Sequence, residues 1–210
     1  MFQETISRED ARQLYNRLGP GLDRSNRFEE RAKALALELL AVEEGQRVLH
    51  VGVGTGMEHA VLQRAAGPRG LVVGHDLARG MLELTRRHAD TPLCEGDAVQ
   101  LPCRTGMFDR IFSAYLLDLI PLVAIPAVLR EFRRALRPDG RLVLVSLTEG
   151  VNLPSRLFVA GWTLVYRLSP QWLGGCRPLQ LAPLLEAAGF AVERRVIVQR
   201  GFPSEVLVGR

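Results

Sequence analysis

The chain is 210 residues long, 47% hydrophobic and 24% charged, which excludes a disordered polymer and predicts one α/β domain with an ordinary core. Its formal charge of +4 is carried by arginines, with Lys33 the sole lysine; they come singly or in pairs such as Arg86-Arg87 and Arg133-Arg134, a solvated surface and not a nucleic-acid footprint. Cys94, Cys103 and Cys176 lack the spacing of a disulfide framework or zinc site, and no signal-peptide core or membrane-length apolar run is present, so a metal-free cytoplasmic protein is expected.

Ser7, with Asp10 three residues on, forms a capping-box pattern that opens a helix to about Leu18, and Gly19-Pro20-Gly21 breaks it. A second helix from about Arg24 to Ala41 carries Ala34, Leu35, Leu37, Leu39 and Leu40 as its apolar side. Beyond Gly45 strands at 47–52, 70–75, 92–95, 109–114 and 141–147 alternate with helices starting near Gly56, Ala78, Pro126, Asn152 and Leu179. Pro126 suits a first helical turn, where its missing N–H costs nothing. Pro138-Asp139-Gly140 predicts a turn ahead of the fifth strand. The last two strands, 190–199 and 204–209, are so close in sequence that they predict an antiparallel hairpin. The expected architecture is α/β and doubly wound, Rossmann-like: a seven-stranded, mostly parallel sheet ending in that hairpin, with helices on both faces. Residues 1–45 form N-terminal helices and 46–210 the main domain.

The first strand runs into "VLHVGVGTGMEHA", residues 48–60, where Gly52, Gly54 and Gly56 precede a helix. Glycines let the backbone approach a ligand and the helix start offers free N–H groups, so this turn is a candidate binding site at the carboxyl end of the sheet. Met57 stands where a dinucleotide fingerprint needs its third glycine, which argues against a nicotinamide dehydrogenase, and no lysine completes a P-loop. Asp76 ends the second strand, where a carboxylate can accept both hydroxyls of a ribose, and Asp97 follows the third, where it can accept from an exocyclic adenine amine.

These motifs, "QRVLHVGVGTG", "GHDLARGML", "EGDAVQLP", "FDRIFSAYLLDLIP" and "LREFRRALRPDGRLVLVSL", resemble in order and spacing a class I S-adenosylmethionine-dependent methyltransferase of the ubiquinone and menaquinone methyltransferase branch. The resemblance covers about half of the chain and implies a doubly wound seven-stranded fold with S-adenosyl-L-methionine as cofactor. It places Gly52, Gly54 and Gly56 along the methionine part, Asp76 on the ribose, Leu77 and Met81 beside adenine, and Asp97 and Ala98 at the adenine edge. Ser113 and Ala114 would face the sulfonium. It also makes residues 1–45 a lid over the site. His50 departs from the pattern, since the family usually carries an acid there; a neutral imidazole can accept one hydrogen bond, whereas a protonated one would repel the cationic cofactor.

Methyl transfer from a sulfonium is an in-line displacement that needs proximity, plus a base when the acceptor must lose a proton. Tyr115 and Asp118 are the catalytic candidates, with Asp118 expected at the mouth of the site. His59, His75 and His88 read as packing or surface residues. The segment 150–178 is apolar and aromatic and is the expected acceptor-binding insert, with Trp162, Tyr166, Cys176 and Arg177 as substrate contacts beside Tyr15 of the N-terminal helix. It serves as a wall for a greasy acceptor or as a helix at a membrane surface. The expected partner is a small, largely apolar molecule: a quinone precursor, phenol, thiol or other secondary metabolite. A phospholipid N-methyltransferase and a non-catalytic interaction protein of this fold are the alternatives, the chain being a monomer or homodimer.

Overall fold

A computed structural model describes residues 5–18 and 26–210. The expected break at Gly19-Pro20-Gly21 and the expected helix start at Arg24 lie outside the described residues. Helix α1 spans Arg8–Leu18 and opens as its cap predicts, with Ser7 Oγ accepting from Asp10 N at 3.1 Å. Helix α2 spans Asn26–Leu40. The alternation then follows as β1 (Arg47–Val51), α3 (Met57–Ala66), β2 (Leu71–Asp76), α4 (Arg79–Thr85), β3 (Leu93–Glu95), β4 (Phe108–Ala114) and α5 (Ile125–Ala135). The remainder is β5 (Leu136–Leu147), α6 (Leu153–Leu168), α7 (Ala182–Ala187), β6 (Val192–Gln199) and β7 (Phe202–Gly209).

The seven strands form one sheet in the order β3-β2-β1-β4-β5-β7-β6. Strands β1 to β5 are parallel, and β7 runs antiparallel between β5 and β6. The hairpin closes through Arg200 and Gly201, both at positive φ (53° and 85°), the twist that a tight two-residue turn requires. The turn expected at Pro138-Asp139-Gly140 is instead a bulge inside β5. Leu136 already pairs with Phe108, and the register shifts before Arg110 meets Arg141.

Central strands are buried on both faces, so each supplies two cores. On one side Leu49, Ile111, Leu142 and Leu144 meet α5 through Ile125, Val128, Leu129 and Phe132, the three-and-four spacing of an amphipathic helix. On the other side Val48, Phe112, Val143 and Val145 meet Ala32, Ala36 and Leu40 of α2 and Leu62 of α3. Strand order reverses between β1 and β4, and a crevice opens there at the carboxyl ends of the strands.

Phe132 is fully buried against this first core. Phe132→Ala should lower unfolding stability by about 3–5 kcal/mol, read as a reduced denaturant midpoint with an unchanged slope.

Candidate active site

A cavity of about 400 Å³ occupies this crevice, within the usual size range of a small-molecule site. Its floor is the turn after β1. Gly52 N donates to His75 O at 2.7 Å, which ties the turn to the end of β2. Gly54 has a φ of 55°, and a Cβ there would meet nothing within 4 Å, so this glycine faces open space. Gly56 does not line the cavity: a Cβ there would lie 2.6 Å from Thr85 Cα, so its role is the close approach of α3 to α4.

Asp76 spans the floor. Its Oδ1 accepts from Ala78 N at 2.9 Å and its Oδ2 from Gly54 N at 3.3 Å. Burial raises its pKa to about 6 despite these donors. Leu77, Met81, Asp97 and Ala98 line the same end of the cavity. Asp97 accepts from Val99 N through Oδ1, and its Oδ2 pairs with Arg8 at 2.8 Å.

Helix α1 lies across this end with Arg8, Ala11, Arg12, Tyr15 and Leu18 turned to the cavity. It buries no residue fully and is held by polar ties. Asn16 Oδ1 accepts from Gly80 N at 2.8 Å, and Tyr15 donates to Gly174 O at 3.3 Å. Just ahead of it, Thr5 donates to Gly175 O at 2.9 Å.

The opposite wall is apolar. Ala114, Tyr115, Leu116, Leu119, Ile120 and Pro121 follow β4, and Phe202 begins β7. Phe202 packs between Tyr115 and Trp162, with ring centroids 6.0 and 5.8 Å away. Trp162, on α6, donates from Nε1 to Cys176 O at 2.9 Å, so both expected substrate contacts line the cavity as a pair. Tyr115 holds a left-handed φ of 55° and shares a 2.7 Å hydrogen bond with Ser204, while burial pushes its phenol well above its usual pKa.

Asp118 is not at the mouth of the cavity. Its carboxylate turns into the core, accepting from Ser146 Oγ, from Leu147 N at 2.8 Å and from Cys176 Sγ at 3.6 Å, and burial raises its pKa to about 7. Arg177 and Tyr166 are buried away from the cavity too. The Arg177 guanidinium donates to Asp118 O at 2.8 Å and Ile120 O at 2.6 Å, clamping the wall, and it interacts with the Tyr166 hydroxyl. Ser113 does not line the cavity, and its buried hydroxyl has no hydrogen-bond partner among the described residues.

At the polar end stand three residues that motif reading passed over. Lys33 Nζ lies 3.0 Å from Glu29 and 3.4 Å from Glu58, and all three line the cavity. Burial disfavours the ammonium, but the two carboxylates outweigh it and hold the Lys33 pKa above its ordinary value. Glu29 and Lys33 were visible only as an ordinary helical i,i+4 pair. Beside them His50 stacks on His59 with centroids 5.4 Å apart, the two Nδ1 atoms lying 3.3 Å from each other. One Nδ1 must donate and the other accept, so the two rings take opposite tautomers. His59 Nε2 continues the chain to Thr91 Oγ1 at 2.7 Å. Burial drives the His50 pKa well below its ordinary value and those of His59 and His75 down to about 4.

The sequence profile described as a methyltransferase domain matches residues 48–140, the span from β1 into β5. The chain is similar to demethylmenaquinone methyltransferase of Listeria welshimeri, 28% identical over 169 residues that cover 75% of this chain and 68% of that protein. Among solved structures it is similar to an S-adenosylmethionine-dependent methyltransferase from Thermotoga maritima, with a TM-score of 0.72, 18% identity and coverage of 94% and 98%. Another from Aquifex aeolicus gives 0.60, 19% identity and coverage of 97% and 98%.

With their charged forms desolvated, His50, His59 and His75 should all be neutral at pH 6. Imidazole nitrogen shifts should show opposite tautomers for His50 and His59; an imidazolium signal from His50 at that pH would contradict the arrangement.

Proposed function

We propose that this chain, a class I S-adenosylmethionine-dependent methyltransferase, methylates a small, largely apolar acceptor held against the wall of Tyr115, Leu116, Leu119, Ile120, Trp162 and Phe202. The observation that carries this reading is one continuous cavity in which the charged residues by the glycine turn adjoin an aromatic wall, Lys33 Nζ lying 5.8 Å from the Tyr115 ring centroid.

The residues present fit the cofactor. Gly54 leaves open space at the floor, Asp76 offers a buried carboxylate for two ribose hydroxyls, and Asp97 and Ala98 sit where the adenine edge would be read. Lys33 is placed to meet the cofactor's carboxylate, and Glu29 and Glu58 its ammonium, taking over from the acid that the family carries at position 50. A neutral His50 adds no charge against the sulfonium. When bound, the cofactor supplies a methyl group on a cationic sulfur, open to in-line attack. The chain's own part is mainly to hold the acceptor atom about 3–3.5 Å away along that line and to keep water out. Burial keeps Tyr115 a phenol against the opposite pull of its Ser204 hydrogen bond, so it shapes the wall; Asp118 fixes Cys176 and Ser146 behind it. Helix α1 acts as the lid, and residues 150–178 complete the acceptor side through Trp162, Cys176 and the 3-10 turn Pro170–Leu173.

An acceptor of the quinol or phenol type suits this wall, and the similarity to demethylmenaquinone methyltransferase supports it. The test is release of S-adenosylhomocysteine from S-adenosylmethionine with a naphthoquinol offered as acceptor. Turnover is expected, and Trp162→Ala should raise the acceptor KM severalfold while leaving cofactor affinity unchanged. No turnover with any quinol or phenol would reject this acceptor class.

Cofactor affinity should also fall as pH drops from 7 to 5. Asp76 is ionised above its pKa of about 6 and accepts two hydroxyls; protonated below it, the carboxyl loses acceptor capacity. In calorimetric titrations Asp76→Asn should weaken binding by about 1–3 kcal/mol at pH 7 and flatten this pH dependence. Undiminished affinity in that variant would remove Asp76 from the ribose.

A further inference from the structure

We propose that α6 and the 3-10 turn behind it form a docking face for an anionic lipid bilayer. The exposed residues of α6 include Leu153, Leu157, Ala160, Gly161, Leu164 and Leu168 along one stripe of the helix, flanked by Arg156 and Arg167. Its four leucines are 61–70% exposed and Trp172, in the turn that follows, is 72% exposed. A contiguous apolar stripe of this kind marks a surface that something covers.

The charge pattern selects the occupant. From Gly150 to Leu185 the chain has no acidic residue, and the only charged side chains of α6 are Arg156 and Arg167. Arg156 is exposed, bonded through Nε to Gly150 O at 3.4 Å, and its cation remains for an outside anion. The β6–β7 turn packs on α6 at Phe158 and adds exposed Arg200 at the edge. A symmetric contact with a second copy would set this patch against itself, and the segment from Gly150 to Leu185 supplies no acid to offset its arginines. An acidic lipid surface meets exposed Arg156 and Arg200 and the leucines together, with the helix lying flat and its apolar side in the headgroup boundary. No helix among the described residues is long and apolar enough to cross a membrane, so the contact is peripheral.

The face adjoins the cavity. Trp172 is both exposed on it and part of the cavity lining, and Trp162 lines the cavity from the inner side of α6. Docking therefore brings the mouth of the site to the bilayer, where a greasy acceptor is dissolved; this consequence rests on the acceptor reading above, whereas the docking face does not.

The experiment is cosedimentation of the full chain, without acceptor, with vesicles of equimolar phosphatidylglycerol and phosphatidylcholine and with phosphatidylcholine alone. Expected are binding to the anionic vesicles that weakens as salt rises, little binding to the neutral ones, and loss of binding in the double variant Leu157→Glu, Leu164→Glu. Both positions are exposed and outside the cavity, so that variant should keep its helical content and its S-adenosylmethionine affinity. No binding to anionic vesicles, or binding that survives the double substitution, overturns the proposal. A dimer in sedimentation equilibrium that the same variant dissolves also overturns it, assigning the stripe to a second copy. Vesicle binding without naphthoquinol turnover would sustain the docking face and reject only the acceptor class.

Discussion

The reversal of strand order between β1 and β4 is the constraint from which the rest of the molecule follows. To one side the crossovers lead outward through β2 and β3, and to the other through β5, so no crossover helix covers the strand ends where the two directions part. The glycine turn after β1 fills the bottom of that gap. It is pinned by Gly52 N to His75 O and by Gly54 N to Asp76, so the backbone approaches a ligand without a side chain intervening. Helix α1, the segment after β4 and residues 150–178 then border one opening, joined through Tyr15 to Gly174 O and through Arg177 to the carbonyls of Asp118 and Ile120.

Those elements are held by different physics. The segment after β4 is held from behind by buried charge and hydrogen bonds, with the Arg177 guanidinium on two of its carbonyls and Asp118 gathering Ser146, Leu147 and Cys176. Burying such groups is costly unless each is partnered, and here the partnering joins the segment after β4 to the end of the 150–178 segment. Helix α1 has no buried residue and rests on a few polar ties and an ion pair that is half exposed. That contrast sets a firmly held wall against a weakly anchored helix.

The methyltransferase resemblance predicts an acid at position 50, and this chain carries a histidine there. An acid there would bring its charge to the cavity from β1. With His50 the strand end is neutral, stacked on His59 and linked through it to Thr91, and the carboxylates come instead from Glu29 on α2 and Glu58 on α3. Negative charge at this end of the cavity thus comes from neighbouring elements and not from β1.

Much of this was legible along the chain. The cap at Ser7, the helical spacing of α5, the glycine turn, the hairpin and the acids closing β2 and following β3 depend on residues a few positions apart, and sequence by itself determined them. Only the tertiary structure decided which member of each adjacent pair faces the cavity: Ala114 lines it and Ser113 does not, Leu119 does and Asp118 does not, Cys176 does and Arg177 does not. Neighbouring side chains on a strand or in a tight turn point to opposite sides, and the phase is set by register and packing against distant elements. The same holds for Lys33 with Glu58, which lie 25 residues apart and meet only because α2 and α3 pack on one face of the sheet.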